Sequence, residues 1–140
     1  METQDEKRLL TSSLIIPIIL VLIMWLVKIV ETVFDLDFSF LGIKPISVEG
    51  LPGIILFHFI HGDWEHLFAN TVPILVLGTS LYYFYRPIAN KTLLILMFST
   101  GFLTWCGARS GVHIGASGLV YGLTFFLMIS GFIRKDRKLI

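Results

Sequence analysis

Residues 13–30 read SLIIPIILVLIMWLVKIV, eighteen positions with a single charge, at Lys28. A membrane-crossing helix needs about 20 mostly apolar residues, so this stretch sets the fold class. Three more stretches qualify, at 67–85, 92–108 and 116–133. The composition agrees: of 140 residues, 55% are hydrophobic and 15% charged, with a mean hydropathy of +0.82. An average chain is about 25% charged. So much apolar surface excludes disorder for most of the chain. The net charge of +1 lacks the basic excess that nucleic-acid binding uses, so no nucleic-acid partner is expected. The single cysteine, Cys106, cannot close an internal disulfide and fits no zinc spacing. Residues 13–30 are too long for the apolar core of a signal peptide, and no small-x-small cleavage pattern follows. The expectation is an all-α membrane protein: one polytopic helical bundle over residues 1–140, with four transmembrane helices, a tail at 1–12 and an outer loop at 31–63.

Charge placement orients the bundle. Lys7 and Arg8 precede the first stretch, Arg86 and Lys91 lie between the second and third, and Arg134, Lys135, Arg137 and Lys138 follow the fourth. Eight of the eleven Lys and Arg residues therefore fall on one side. The other side collects Glu31, Asp35, Asp37, Glu49, Asp63 and Glu65, with Lys44 and Arg109. The positive-inside rule puts both termini in the cytoplasm, and with no targeting presequence the expected home is a bacterial inner membrane. Tyr82, Tyr83 and Tyr85 beside Arg86 fit an interfacial belt. The outer loop is apolar for its length, and the alternation Phe34-Asp35-Leu36-Asp37-Phe38 suggests a piece lying at the interface, either a lid packed on the bundle or a binding loop.

Polar side chains within such segments are expensive, and each is a functional candidate. One cluster runs His61-Gly-Asp-Trp-Glu-His66-Leu-Phe-Ala-Asn70, with His58 just upstream. A helix puts His66 and Asn70 on one face, four residues apart. They either knit helices together or supply two hydrogen-bond donors to a site. A metal or haem at the three histidines finds no matching ligand on another span, and no cofactor is expected. The second cluster is Gly111-Val-His113-Ile-Gly115-Ala-Ser117-Gly118-Leu-Val-Tyr121-Gly122. Gly118 and Gly122 form a small-xxx-small face for a neighbouring helix. Ser117, at a helix start, is either an N-cap or a nucleophile whose neighbouring backbone N–H groups hold an oxyanion. Together the clusters put a hydroxyl and two side-chain donors at one shallow depth on the outer side, where water can reach them.

The pair of motifs resembles the rhomboid intramembrane serine proteases. The family pattern H-x4-H-x3-N reads here as His61, His66 and Asn70, and its G-x-S-G reads as Gly115-Ala-Ser117-Gly118, followed by Tyr121 and Gly122. The resemblance covers roughly residues 13–133. It implies Ser117 as catalytic nucleophile and His66, Asn70 and the Ser117 N–H as oxyanion-hole donors. It also implies Gly115 keeping the approach open, Tyr121 packing on the catalytic histidine and His61 as a supporting hydrogen-bonding residue. The implied reaction is hydrolysis of peptide bonds in or near transmembrane helices of membrane-protein substrates. The chain departs from the family in two ways. The family's general base is a histidine on a sixth span, whereas no histidine follows His113 here, and His113 itself is a poor substitute. The 140 residues therefore look like the first four spans of a longer protein, with Gly118 and Gly122 expected to pack on the sixth. The outer loop also lacks the Trp-Arg pair common in the family. Two other readings compete: a catalytically inactive rhomboid-like protein that binds transmembrane helices, and a small structural membrane protein.

Overall fold

The computed structural model describes residues 4–134; Lys135, Arg137 and Lys138 of the basic run lie outside them. Helix α1 spans Gln4–Phe34, a four-residue α2 spans Gly53–Leu56, α3 spans Trp64–Phe84, α4 Ala89–Gly107 and α5 Ser117–Arg134. Short 3₁₀ turns at Ser39–Leu41, Val48–Gly50 and Phe57–Phe59 complete the connection between α1 and α3. By length and composition α1, α3 and α5 can each cross a membrane. The stretch expected as the third crossing forms α4, whose first turn carries Asn90 and Lys91 and dilutes its apolar character.

α1 starts nine residues before its apolar stretch. Asp5 and Glu6 sit in its first turn, where negative charge offsets the helix dipole. The hydroxyls of Thr11, Ser12 and Ser13 donate back to the carbonyls of Lys7, Leu9 and Leu9, so these polar residues join the helix. The expected tail is therefore helical from Gln4.

α1 and α3 pack antiparallel. Pro17 fits against Gly78, where a Cβ would lie 2.9 Å from the proline Cγ; Trp25 Nε1 donates to Thr71 Oγ1 at 3.0 Å. Small residues allow this close approach between membrane helices. The core is built from two stripes: Leu67, Ile74 and Leu81 of α3, spaced by seven, face Leu119, Leu123 and Leu127 of α5, spaced by four, and Met24 of α1, all buried. Outside it the surface stays apolar. Leu22 and Leu26 of α1, Val72 of α3, Leu94 and Leu103 of α4 and Phe132 of α5 are exposed. Only 22% to 33% of each spanning segment is buried in the protein. An apolar exterior of that extent is incompatible with water, and the molecule is an integral membrane protein.

The long loop packs as a lid on one end of the bundle. Ile43, fully buried, exchanges two backbone hydrogen bonds of 2.9 Å with His113. Gly101 of α4 lets the Ile54 carbonyl of α2 come so close that no Cβ would fit. Trp105 of α4 anchors the loop twice: its Nε1 donates to Ser47 O at 2.9 Å and its carbonyl accepts from Ile46 N at 3.0 Å. The alternating stretch at 34–38 is a turn. Asp35 has φ +51°, and Asp37 accepts from Ser39 N at 2.8 Å; the Ser39 side chain and then this N–H hold the Asp37 carboxyl below the usual range. Buried Glu31 ties this turn down, accepting from Phe38 N at 2.9 Å and pairing with Lys28, which also donates to Gly62 O at 3.0 Å.

Candidate active site

Three consecutive residues, Gly115, Ala116 and Ser117, dock on the segment that leads into α3. Gly115 N donates to Phe57 O at 2.8 Å. Ala116 N donates to His61 Nε2 at 3.4 Å. Ser117 Oγ lies 3.2 Å from His66 Nε2. The turn is held along its length, so the hydroxyl is placed by backbone and not by its own flexibility.

Local sequence explains both partners. Asp63 caps α3 by accepting from His66 N at 2.7 Å, which fixes the helix start and hence the direction of the His66 ring. Gly115 has φ +110°, and a Cβ there would collide with His66 Cε1. Only glycine both adopts that backbone and lets the ring close on Ser117. Ser117 is the first helical residue of α5, and the Ala116 carbonyl accepts from Val120 N at 3.0 Å. The N-cap alternative therefore fails, because Ala116 occupies the capping position and the serine hydroxyl meets His66. The first backbone N–H groups of a helix have no intrahelical acceptor, and that of Ser117 stands next to its own Oγ.

Asn70 is buried one turn below His66, and its Nδ2 donates to the His66 carbonyl at 3.1 Å. A primary amide has two N–H donors, so one remains beyond this bond. The His61 and His66 rings meet edge to face, centroids 5.1 Å apart. Burial, and then the neighbouring His66, push His61 down from 6.5 to about 4. It is neutral near pH 7, as its role as acceptor from Ala116 N requires.

The remaining expected residues lie differently. His58 turns away from the other two histidines, its Nε2 3.0 Å from Met97 O of α4, so the three do not converge. His113 Nε2 contacts Arg109 O at 2.8 Å and not Ser117. Gly118 and Gly122 meet α4: a Cβ on Gly118 would be 3.4 Å from Thr100 Cβ, and one on Gly122 would be 3.2 Å from Thr100 Cγ2. Among the described residues the neighbour of that small-residue face is α4, where Thr100 turns its hydroxyl back to Leu96 O and leaves a short methyl against the glycines. Tyr121, one turn beyond Ser117, is 66% exposed. Sequence reasoning misses the Phe57 carbonyl and Trp105; a backbone acceptor leaves no residue-type signal, and a tryptophan in an apolar helix is unremarkable.

The chain is similar to known proteins along most of this architecture. The family model described as the Rhomboid domain matches residues 49–139. Uncharacterized proteins of Mycobacterium bovis and Mycobacterium tuberculosis are each 34% identical, over 82% of this chain and 51% of their own length. An uncharacterized protein of Mycobacterium leprae is 30% identical, over 84% of this chain and 50% of its own. The chain spans about half the length of the curated relatives it matches. No solved structure matches it.

Proposed function

This chain belongs to the rhomboid family, whose members are generally intramembrane proteases, and from that premise we propose that it carries the nucleophile and oxyanion hole of a serine endopeptidase. The substrates are membrane proteins, cut in or near a transmembrane helix. The observation that carries this reading is the 3.2 Å approach of Ser117 Oγ to His66 Nε2 beside a glycine that leaves the space open.

Ser117 Oγ attacks the scissile carbonyl carbon. The carbonyl oxygen gains the negative charge and takes hydrogen bonds from His66 Nε2–H, the spare Asn70 N–H and the Ser117 backbone N–H. Such donors act most strongly when already aimed at the charge that develops, and the docking of Gly115 and Ala116 keeps them aimed. His66 donates to the oxyanion and so does not also take the serine proton. The general base is a second imidazole on a later span, as the family pattern implies. Tyr121 flanks that base, and His61 supports the turn at Ala116. Ser117 faces the outer side of a bacterial inner membrane, with the N-terminus and the loop between α3 and α4 in the cytoplasm. α4 is the third of four crossings.

Membranes holding the native gene product test the reading with a fluorophosphonate probe and a panel of single-span substrates. Labelling and cleavage are expected for the natural sequence, with loss of both in Ser117→Ala; removing a catalytic serine costs up to about 10⁶ in rate. Equal labelling of the two proteins, or no cleavage by either, overturns the protease and leaves a helix-binding role.

A further inference from the structure

A cavity with polar and apolar walls lies at the end of the bundle opposite Ser117. It has a volume of about 350 Å³ and opens between α1, α3 and α4, lined by Ser12, Ile15, Ile16, Tyr82, Arg86 and Asn90 among others. That volume falls within the range of small-ligand sites, about 300–1,000 Å³.

Its donors are held in place and left over. Arg86 Nη1 donates to Ser12 Oγ at 2.9 Å, and both residues line the cavity. A guanidinium has five N–H donors, so four remain. The described ion pairs are Lys28 with Glu31 and Lys44 with Glu49, so among the described residues no carboxylate neutralises Arg86. Tyr82 OH donates to Asn90 Oδ1 at 2.6 Å; this engages the amide oxygen, and the Asn90 NH₂ adds two further donors to the lining. Lys7 and Arg8 line an adjoining hollow of about 370 Å³ that shares Ser12 and Ile15 with the first. The acidic residues on that part of α1, Asp5 and Glu6, lie at least six residues before Ser12, about 9 Å along the helix. Below the donors the wall is apolar, and Ile15 is 53% exposed toward the surrounding hydrocarbon.

Converging cationic and amide donors over an apolar wall fit a phosphate diester attached to an acyl chain. Arginine recognises phosphate through paired N–H bonds, and basic pockets between transmembrane helices hold anionic headgroups. We infer that the cavity between Ser12, Arg86 and Asn90 is a binding site for the phosphate headgroup of an anionic phospholipid, with one acyl chain running along Ile15 and Ile16. The site does not depend on the chemistry at Ser117. It fastens the start of α1 to the α3–α4 turn through a lipid that both sides share.

Native mass spectrometry of the protein in detergent micelles tests this with three probes: phosphatidylglycerol, phosphatidylcholine and inorganic phosphate. The natural sequence is expected to retain one phosphatidylglycerol about tenfold better than phosphatidylcholine, and millimolar phosphate should not displace it. Arg86→Gln should lower retention about tenfold. Arg86→Lys, which keeps the charge but not the fork, should fall between. Asn90→Ala, which leaves the Arg86–Ser12 bond intact, should lower retention severalfold and serves if Arg86→Gln does not fold. Unchanged retention in Asn90→Ala together with whichever Arg86 variant folds overturns the site. Displacement of the lipid by inorganic phosphate overturns the lipid and assigns the pocket to a free anion.

Discussion

The two ends of α3 handle polar groups in opposite ways. At its start, His61, His66 and Asn70 are turned into the protein and meet neutral partners: a backbone N–H, a serine hydroxyl and a carbonyl. At its far end, Arg86 and Asn90 are exposed, charged or partly unspent, and open onto a cavity. The difference follows from where each end sits. A charge moved into a low-dielectric interior costs far more than a neutral dipole, so the buried positions at this end hold the Asn70 amide and a neutral His61 in fixed geometry. The open end keeps cations, whose cost is low where water or headgroups are in reach. Fixed neutral dipoles suit a site that must stabilise a transient charge, and free cations suit one that holds a permanent charge.

The largest test of that contrast removes a neutral donor from the buried end. Asn70→Ala should lower the rate of substrate cleavage by about 10²–10³, the usual effect of losing one oxyanion donor, while the melting temperature in detergent changes little. If stability and rate fall together, Asn70 only ties the helix and the start of α3 is a packing device. Next comes the fixed geometry itself. Gly115→Ala drives a Cβ into His66 Cε1 at a backbone with φ +110°. It should cost about 1–3 kcal/mol of stability, as overpacking does, and should push His66 away from Ser117. Unfolding by denaturant checks the first effect, and fluorophosphonate labelling rate the second.

The last test is acid. The unfolded chain protonates His61 near 6.5, while the folded chain resists until about 4. Its contribution is complete above 6.5 and is lost progressively as pH falls from 6.5 to 4. Thermal unfolding across that window should show a steeper loss for the natural sequence than for His61→Asn. Equal slopes would mean that the buried end tolerates charge as the open end does, and the contrast would fail.

Much of the site is legible in the chain itself. His66 and Asn70 share a face because a helix repeats nearly every four residues, and Ser117 opens an apolar run directly after a glycine-rich turn. The boundaries of α3 and α5 also fall close to the apolar stretches at 67–85 and 116–133. Legibility fades wherever the partner is remote. His58 looks like a member of the histidine cluster, yet Met97 O captures it from a helix 39 residues away. The glycine face of α5 reads as a seat for a later span, and the described residues also bring Thr100 of α4 against it, a contact with no signal in the local sequence. The loop lacks the expected Trp-Arg pair, and its anchor comes from Trp105 of another helix.

By itself the sequence determined the solvent, the helices and the side chains on offer: apolar runs of this length have no stable state in water, and the paired motifs supply a serine hydroxyl and two side-chain hydrogen-bond donors. Only the tertiary structure decided that these groups meet. Ser117 and His66 are 51 residues apart in the chain, and no local periodicity encodes a contact at that separation. It arises because the Leu119, Leu123 and Leu127 stripe of α5 packs on α3, and because Phe57 and His61 accept the backbone of the turn before Ser117. The close contact of Gly115 with His66 allows that approach.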